Sequence, residues 1–156
     1  MDLILWRHAE AYDVQPGESD MQRTLTPKGQ KQARRMADWL TSQLPEGCKI
    51  LVSPALRTVQ TAEPLGRKFK IVPELAPDAS PDDVLQAANW PHAREPVLVI
   101  GHQPTLGQVA ALLLSGQVLD WEMKKANAWW IVQRDPQDPF SLYLKAVMGP
   151  DLVMKA

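Results

Sequence analysis

The feature that most constrains the fold is a pattern that occurs three times along the chain. Each copy is a short apolar run, a turn, and then a segment whose apolar side chains have helical spacing. The apolar runs lie at residues 3–6, 50–52 and 97–100. Uninterrupted apolar runs of this length are typical of strands that are buried on both faces, and their alternation with helices indicates an α/β domain. We therefore predict a three-layer α/β sandwich with a mainly parallel sheet.

Start signals precede two of the predicted helices. Thr26 is a good N-cap and Pro27 suits the first helical position. In the second copy we expect Ser53 to cap, and Pro54 to start, the helix. The other predicted elements are a short strand at 70–72, a short helix at about 82–89, and a helix from about 104 to 114.

The end of the chain has a different pattern. Residues 127–133 and 141–148 predict two late strands, and the turn-forming segment 135–139 separates them. Such a short connection predicts an antiparallel hairpin, which would lie at the edge of the sheet. No segment has the composition of a linker, so we expect one domain over residues 1–156.

Composition and charge restrict the class of function. The net charge of -1 argues against a protein that coats nucleic acid. The apolar run at residues 3–6 is too short for a secretory signal, and no run approaches the length of a membrane span. One cysteine, Cys48, excludes an intramolecular disulfide and a zinc cluster of cysteines. We expect a cytoplasmic protein with no metal, no cofactor, and neither nucleic acid nor membrane as a partner.

Cationic and imidazole side chains follow the ends of the three predicted strands. Arg7 and His8 follow the first, Arg57 lies one turn into the helix after the second, and His102 follows the third. The carboxyl ends of parallel strands meet at one edge of a sheet, where ligands bind. Helix N-termini and guanidinium groups together favour an anion, and phosphate fits them best. The pattern therefore predicts a phosphate pocket at this edge.

A neutral imidazole in such a pocket can attack phosphorus. The arginines would stabilise the equatorial oxygens of the transition state, and water would then hydrolyse the phosphohistidine. This two-step route needs one imidazole nitrogen to be unprotonated and to face the phosphorus. A hydrogen bond from the other nitrogen to a backbone carbonyl usually achieves this.

Several motifs resemble the histidine phosphatase superfamily, which is also called phosphoglycerate mutase-like. They are Arg7-His8 after the first strand, "LTPKGQKQA" (25–33), "SPALRTVQTA" (53–62) and "GHQPTLG" (101–107). The resemblance implies that His8 is the phosphorylated nucleophile and that Arg7, Arg57 and His102 hold the phosphoryl group. The family commonly has Arg-His-Gly, and here Ala9 replaces the glycine as another small residue.

The short chain most resembles the small phosphohistidine phosphatases of that family. Many family members use a carboxylate from segment 58–101 as general acid, and here Glu74 and Asp78 are candidates by position only. An acid is dispensable if the leaving group is a neutral imidazole, whereas an alkoxide needs one. We therefore expect a phosphohistidine substrate on a phosphotransfer protein or sensor kinase domain of a signalling relay. The alternatives are a small-molecule phosphomonoester phosphatase or mutase, and a non-catalytic phosphoprotein-binding module.

Other charged residues have simpler interpretations. Arg23 precedes the "TLTPKG" segment and is a candidate for the rim of the pocket. Arg34 and Arg35 fall on the exposed side of an amphipathic helix, so a solvated face is the expectation for both. His92 lies in the polar segment "NWPHARE", where a solvated loop histidine is expected.

Overall fold

The computed structural model describes residues 1–153, within which a six-stranded sheet carries helices on both faces. The strands are β1 (Asp2–Arg7), β2 (Lys49–Val52), β3 (Lys70–Ile71), β4 (Val97–Gly101), β5 (Ala128–Gln133) and β6 (Leu142–Met148). The helices are α1 (Pro27–Gln43), α2 (Leu56–Ala62), α3 (Pro81–Ala87) and α4 (Thr105–Ser115). Short 3-10 turns lie at Asp20–Gln22, Glu63–Leu65, Pro73–Leu75 and Pro139–Ser141.

The strand order β3-β2-β4-β1-β5-β6 confirms the predicted sheet. β1 pairs in parallel with β4, β4 with β2, and β2 with β3. β5 then runs antiparallel to β1, and β6 runs antiparallel to β5 at the edge. The late hairpin therefore extends the parallel sheet on the side of β1, as its short turn predicted.

Alternate side chains of the central strands point to two separate hydrophobic clusters. Ile4 and Trp6 of β1 pack in one cluster with residues of α1 such as Leu40. Leu5 packs in the other cluster with residues of α4 such as Val109. This alternation across the sheet produces the three predicted layers. No helix within residues 1–153 is both long and apolar enough to cross a membrane.

The helix starts match the sequence prediction in one case and differ in the other. Thr26 caps α1 and its side chain accepts a hydrogen bond from the amide of Gly29. The prediction that Ser53 caps α2 was wrong, because α2 begins at Leu56 with Ala55 in the N-cap position. The Ser53 hydroxyl instead accepts from the Ala55 amide within the preceding turn, at 3.2 Å.

Two glycines are needed where backbones approach each other closely. A Cβ on Gly29 would overlap the carbonyl oxygen of Glu10, so the missing side chain lets the start of α1 lie against the loop after β1. A Cβ on Gly107 would overlap the carbonyl oxygen of Trp121. Both contacts lie beside the carboxyl ends of the parallel strands, where the candidate site is found.

Candidate active site

The structure brings the predicted histidines and Arg57 together at the carboxyl edge of the sheet. The His8 amide donates to the carbonyl of Gly101 at the end of β4, at 3.2 Å. The rings of His8 and His102 lie with their centroids 5.4 Å apart. An Nη2 of Arg57 lies 3.4 Å from Nδ1 of His102. Residues that are up to 94 positions apart in the chain therefore meet at this edge.

His8 is fixed in one tautomer by its own neighbour. Its Nδ1 lies 2.8 Å from the carbonyl oxygen of Ala9, and because a carbonyl can only accept, Nδ1 carries the proton. Nε2 is therefore left with its lone pair. Burial lowers the pKa of His8 to about 3, and the positive charges of Arg57 and Arg7 act in the same direction. The ring is neutral at physiological pH, as a nucleophile requires.

His102 is held between Arg57 and Ser53. An Arg57 N–H faces Nδ1, so the proton of the neutral ring is on Nε2, which donates to the Ser53 hydroxyl at 2.7 Å. The pKa of His102 is lowered to about 3, mainly by burial, with contributions in the same direction from the nearby His8 and Arg57. Ser53 is fully buried, and its hydroxyl bonds to His102 instead of capping α2.

Arg57 is buried and is held by the turn that contains Asp20. Its Nη1 donates to the Asp20 carbonyl at 2.8 Å, and its Nη2 donates to the Asp20 carboxylate at 3.1 Å. Partial burial opposes ionisation of this carboxyl, but hydrogen bonds from Arg23 and Arg57 outweigh it and keep the pKa of Asp20 below its usual value. Sequence reasoning missed Asp20, which lies in a polar, aperiodic loop.

Arg7 lies beside this cluster at the end of β1. Its Nη1 donates to the carbonyl of Met123 at 2.9 Å. Burial lowers the pKa of Arg7; Glu122 opposes this shift and Arg57 adds to it. The Nε atoms of Arg7 and Arg57 are both buried without a hydrogen-bond partner among the described residues. Two such donors are costly unless a ligand uses them, and a phosphoryl group has the acceptor oxygens to do so.

A buried hydroxyl joins the loop after His8 to α2. The Ala9 amide donates to the Thr61 hydroxyl at 3.0 Å, and that hydroxyl donates to the carbonyl of Arg57 at 2.8 Å. Ala9 itself is fully buried in a hydrophobic cluster, so its methyl group is accommodated where the family commonly has glycine. This network sets the position of the loop after His8 relative to Arg57.

The remaining predicted residues lie farther from the imidazoles. Arg23 donates from Nε to the Tyr12 carbonyl at 2.7 Å and from Nη1 to Asp20 at 3.2 Å, and its charge contributes to the lowered pKa of His8. Glu74 and Asp78 are exposed, and within residues 1–153 no hydrogen bond or ion pair joins either one to the four clustered residues. Glu74 instead lines a surface depression with Lys70 and Asp83. His92 is exposed, as expected.

The described part of the chain contains no group of three or more His, Cys, Asp or Glu side chains placed to hold a metal ion. The chain's own side chains place several reactive groups at this edge of the sheet. These are a neutral imidazole with a free nitrogen, a second neutral imidazole, and two arginines with unpaired Nε–H groups.

Comparison with known proteins agrees with this geometry. The sequence model described as "Histidine phosphatase superfamily (branch 1)" matches residues 3–79. Phosphohistidine phosphatase SixA of Escherichia coli (strain K12) is 34% identical over 125 residues, which are 75% of this chain and 76% of SixA. A structure of the protein histidine phosphatase SixA complexed with tungstate has a TM-score of 0.75 at 30% identity and covers 97% of this chain and 98% of its own.

A more distant structure shares the fold. The phosphoserine phosphatase mutant of Entamoeba histolytica in complex with phosphoserine has a TM-score of 0.67 at 14% identity, and the match covers 94% of this chain and 95% of that one. At that identity the likeness extends to the fold alone.

Proposed function

The chain belongs to the histidine phosphatase superfamily and is a phosphatase of that class, and from this premise we propose that it hydrolyses phosphohistidine on proteins through a covalent intermediate at His8. One observation carries the proposal: the hydrogen bond from Nδ1 of His8 to the Ala9 carbonyl. It leaves Nε2 unprotonated in a buried, cationic pocket. This is the state in which an imidazole can attack phosphorus.

In the first step, Nε2 of His8 attacks the phosphorus of the substrate. A bond from Nε2 to phosphorus forms while the bond from phosphorus to the substrate imidazole breaks. The substrate ring keeps the proton on its other nitrogen and leaves as a neutral imidazole. The unpaired Nε–H groups of Arg7 and Arg57 are donors for the phosphoryl oxygens as their charge spreads in the transition state.

In the second step, water attacks the phosphohistidine at His8. A bond from the water oxygen to phosphorus forms and the bond to Nε2 breaks, so that inorganic phosphate is released and His8 returns to its neutral tautomer. His102 lies 5.4 Å from His8, ring centroid to ring centroid, and carries no charge of its own before the reaction. Ser53 keeps that ring oriented beside the phosphoryl group.

Neither Asp20 nor the two acids predicted from the sequence is placed as a general acid, which favours a phosphohistidine substrate over a phosphomonoester. Asp20 reaches the cluster through Arg57, but its lowered pKa keeps it ionised and makes it a poor proton donor. Glu74 and Asp78 have no bond to the cluster. An alkoxide leaving group needs an acid, whereas a protonated phosphohistidine does not. The name of the relative SixA points to the same substrate class, and we propose a phosphotransfer protein or sensor kinase domain of a signalling relay as its carrier.

The test compares phosphate release from a phosphohistidine-bearing phosphotransfer domain with release from a generic phosphomonoester. We expect the phosphoprotein to be preferred and His8→Ala to lose about a thousandfold or more of the activity. His92→Ala is the matched control, because it removes an exposed histidine from the same chain. A radiolabelled phosphoenzyme that is labile to acid and stable to base should form on the wild type and be absent from His8→Ala.

The other outcomes separate the alternatives. If the monoester is preferred, the covalent mechanism stands, but the protein is a small-molecule phosphatase or mutase. Tight binding of the phosphoprotein with no turnover and no phosphoenzyme would indicate a binding module.

A further inference from the structure

A broad groove borders the candidate active site and is rich in basic residues. Its volume is about 620 Å³, and Arg7 lies in its wall. One side is the N-terminal half of α1 and the other is the loop before β5. We call it the basic groove, and its basic residues besides Arg7 are Lys28, Lys31 and Arg35 of α1 and Lys124 and Lys125 of the loop.

The charge of the basic groove differs from that of the whole protein. The acidic residues in its lining are Glu10, Glu122 and Asp151, half as many as the cationic ones, whereas the net charge of the chain is -1. Within residues 1–153 none of the five basic side chains on the two sides forms an ion pair. The groove is therefore a local concentration of unneutralised positive charge.

The position of these residues on α1 has an electrostatic cost. Lys28 lies in the first turn of the helix, where the macrodipole disfavours cations, and that turn contains no acidic residue; Lys31 follows in the next turn. Arg35 is half-buried and faces the groove, whereas Arg34 is exposed on another side of the helix. The expectation of a solvated face thus fits Arg34 and does not describe Arg35. Cations thus stand at positions that the helix itself does not favour.

The groove is continuous with the proposed reaction centre through Arg7. The Arg7 amide donates to the carbonyl of Asn127, which also lines the groove, at 3.1 Å. His8 is the next residue in the chain. A protein whose phosphohistidine reaches His8 therefore comes within reach of this groove.

We propose that the basic groove docks an acidic face of the phosphoprotein substrate, beside its phosphorylated histidine. This inference rests on the proposed phosphohistidine phosphatase function. Four of the five basic residues on the sides of the groove are lysines, which are flexible point charges that tolerate carboxylates in varied positions. A site that binds phosphate through bidentate hydrogen bonds would favour arginine instead. The negative net charge of the chain also disfavours a nucleic acid in the groove.

Docking of this kind acts on the encounter between the two proteins. Complementary charge at a rim raises the association rate and makes it dependent on salt, with little effect on chemistry. The basic groove should therefore lower KM for the phosphoprotein and leave turnover of free phosphohistidine, which is too small to span it, unchanged.

The experiment uses two double variants with the same change in net charge. Lys31→Glu/Lys125→Glu reverses one cation on each side of the basic groove. Arg34→Glu/Lys68→Glu reverses two exposed cations outside it. KM and kcat are measured for a phosphohistidine-bearing phosphotransfer domain and for free phosphohistidine, at low and at moderate salt.

We expect the groove variant to raise KM for the phosphoprotein by about tenfold at low salt, with kcat and the hydrolysis of free phosphohistidine close to wild type. The salt dependence of KM should weaken in that variant. The control variant should behave like the wild type.

Three results would overturn the docking inference. They are an unchanged KM in the groove variant, an equal rise in the control variant, and an equal loss on free phosphohistidine, which would place the effect in catalysis. Failure of the proposed function has a different signature, because the wild type itself would then not release phosphate from the phosphoprotein.

Discussion

Lowering the pH should destabilise this protein through its two buried imidazoles. The pKa values of His8 and His102 are both lowered to about 3 in the folded chain, from a usual value of 6.5. The unfolded chain therefore takes up these protons first as the pH falls. The stability that the neutral rings contribute is fully present above pH 6.5 and is lost progressively down to about pH 3.

The size of the effect follows from proton linkage. Each imidazole that is protonated only in the unfolded state lowers the free energy of unfolding by about 1.4 kcal/mol per pH unit within that window. Between pH 7 and pH 5 the loss is about 2 kcal/mol for one ring and about 4 kcal/mol for both. This range lies above the usual pKa values of carboxyl groups, so their contribution is small there.

The assay is urea unfolding at pH 7, 6 and 5 in buffers without phosphate, followed by tryptophan fluorescence. His8→Gln and His102→Gln should each halve the dependence of the free energy of unfolding on pH. His92→Gln should retain the wild-type dependence, because its side chain is exposed in the folded protein. The reasoning is refuted if the wild type loses less than about 1 kcal/mol over this range, or if His8→Gln keeps the full slope.

Three further substitutions test other parts of the site. Arg57→Lys should lower kcat/KM by about a hundredfold or more, since an ammonium cannot present the planar fork of donors; activity within about threefold of wild type would contradict this. Asp20→Asn should tighten inhibition by inorganic phosphate by about threefold, because it removes a negative charge from Arg57; an unchanged inhibition constant would show that this carboxylate does not compete with the anion. Gly107→Ala should cost about 2 kcal/mol of stability in urea unfolding, because its Cβ would overlap the Trp121 carbonyl oxygen, and a cost near zero would mean that this loop shifts freely.

The framework of the fold was predictable because its signals are local. The strands β1, β2 and β4 are short uninterrupted apolar runs, and a parallel sheet is the arrangement that buries them on both faces. The site followed from the same argument, since parallel strands place their carboxyl ends at one edge. His8 and His102 could therefore be paired from the sequence although β4 and β1 are far apart in the chain.

The features that escaped prediction depend on tertiary partners. Ser53 looks like a helix cap in the sequence, but its hydroxyl meets His102, a residue 49 positions away. Asp20 lies in a polar, aperiodic loop, and nothing in that sequence indicates its hydrogen bonds with Arg57. Arg34 and Arg35 are neighbours in α1 and carry the same charge. Only the folded structure shows that Arg35 lines the groove with Lys124, whereas Arg34 lies on another side of the helix.

The position of β1 in the sheet affects when this protein can fold during its synthesis. β1 contains the segment that leads directly to His8, and its two neighbours are β4 and β5, which are synthesised much later. The backbones of Met1 and Gln133 also bond to each other across this gap. Such long-range pairing delays folding until the distant partner exists. His8 is thus synthesised long before the strands that position it, and β1 can take its place between β4 and β5 only after residue 133 has emerged.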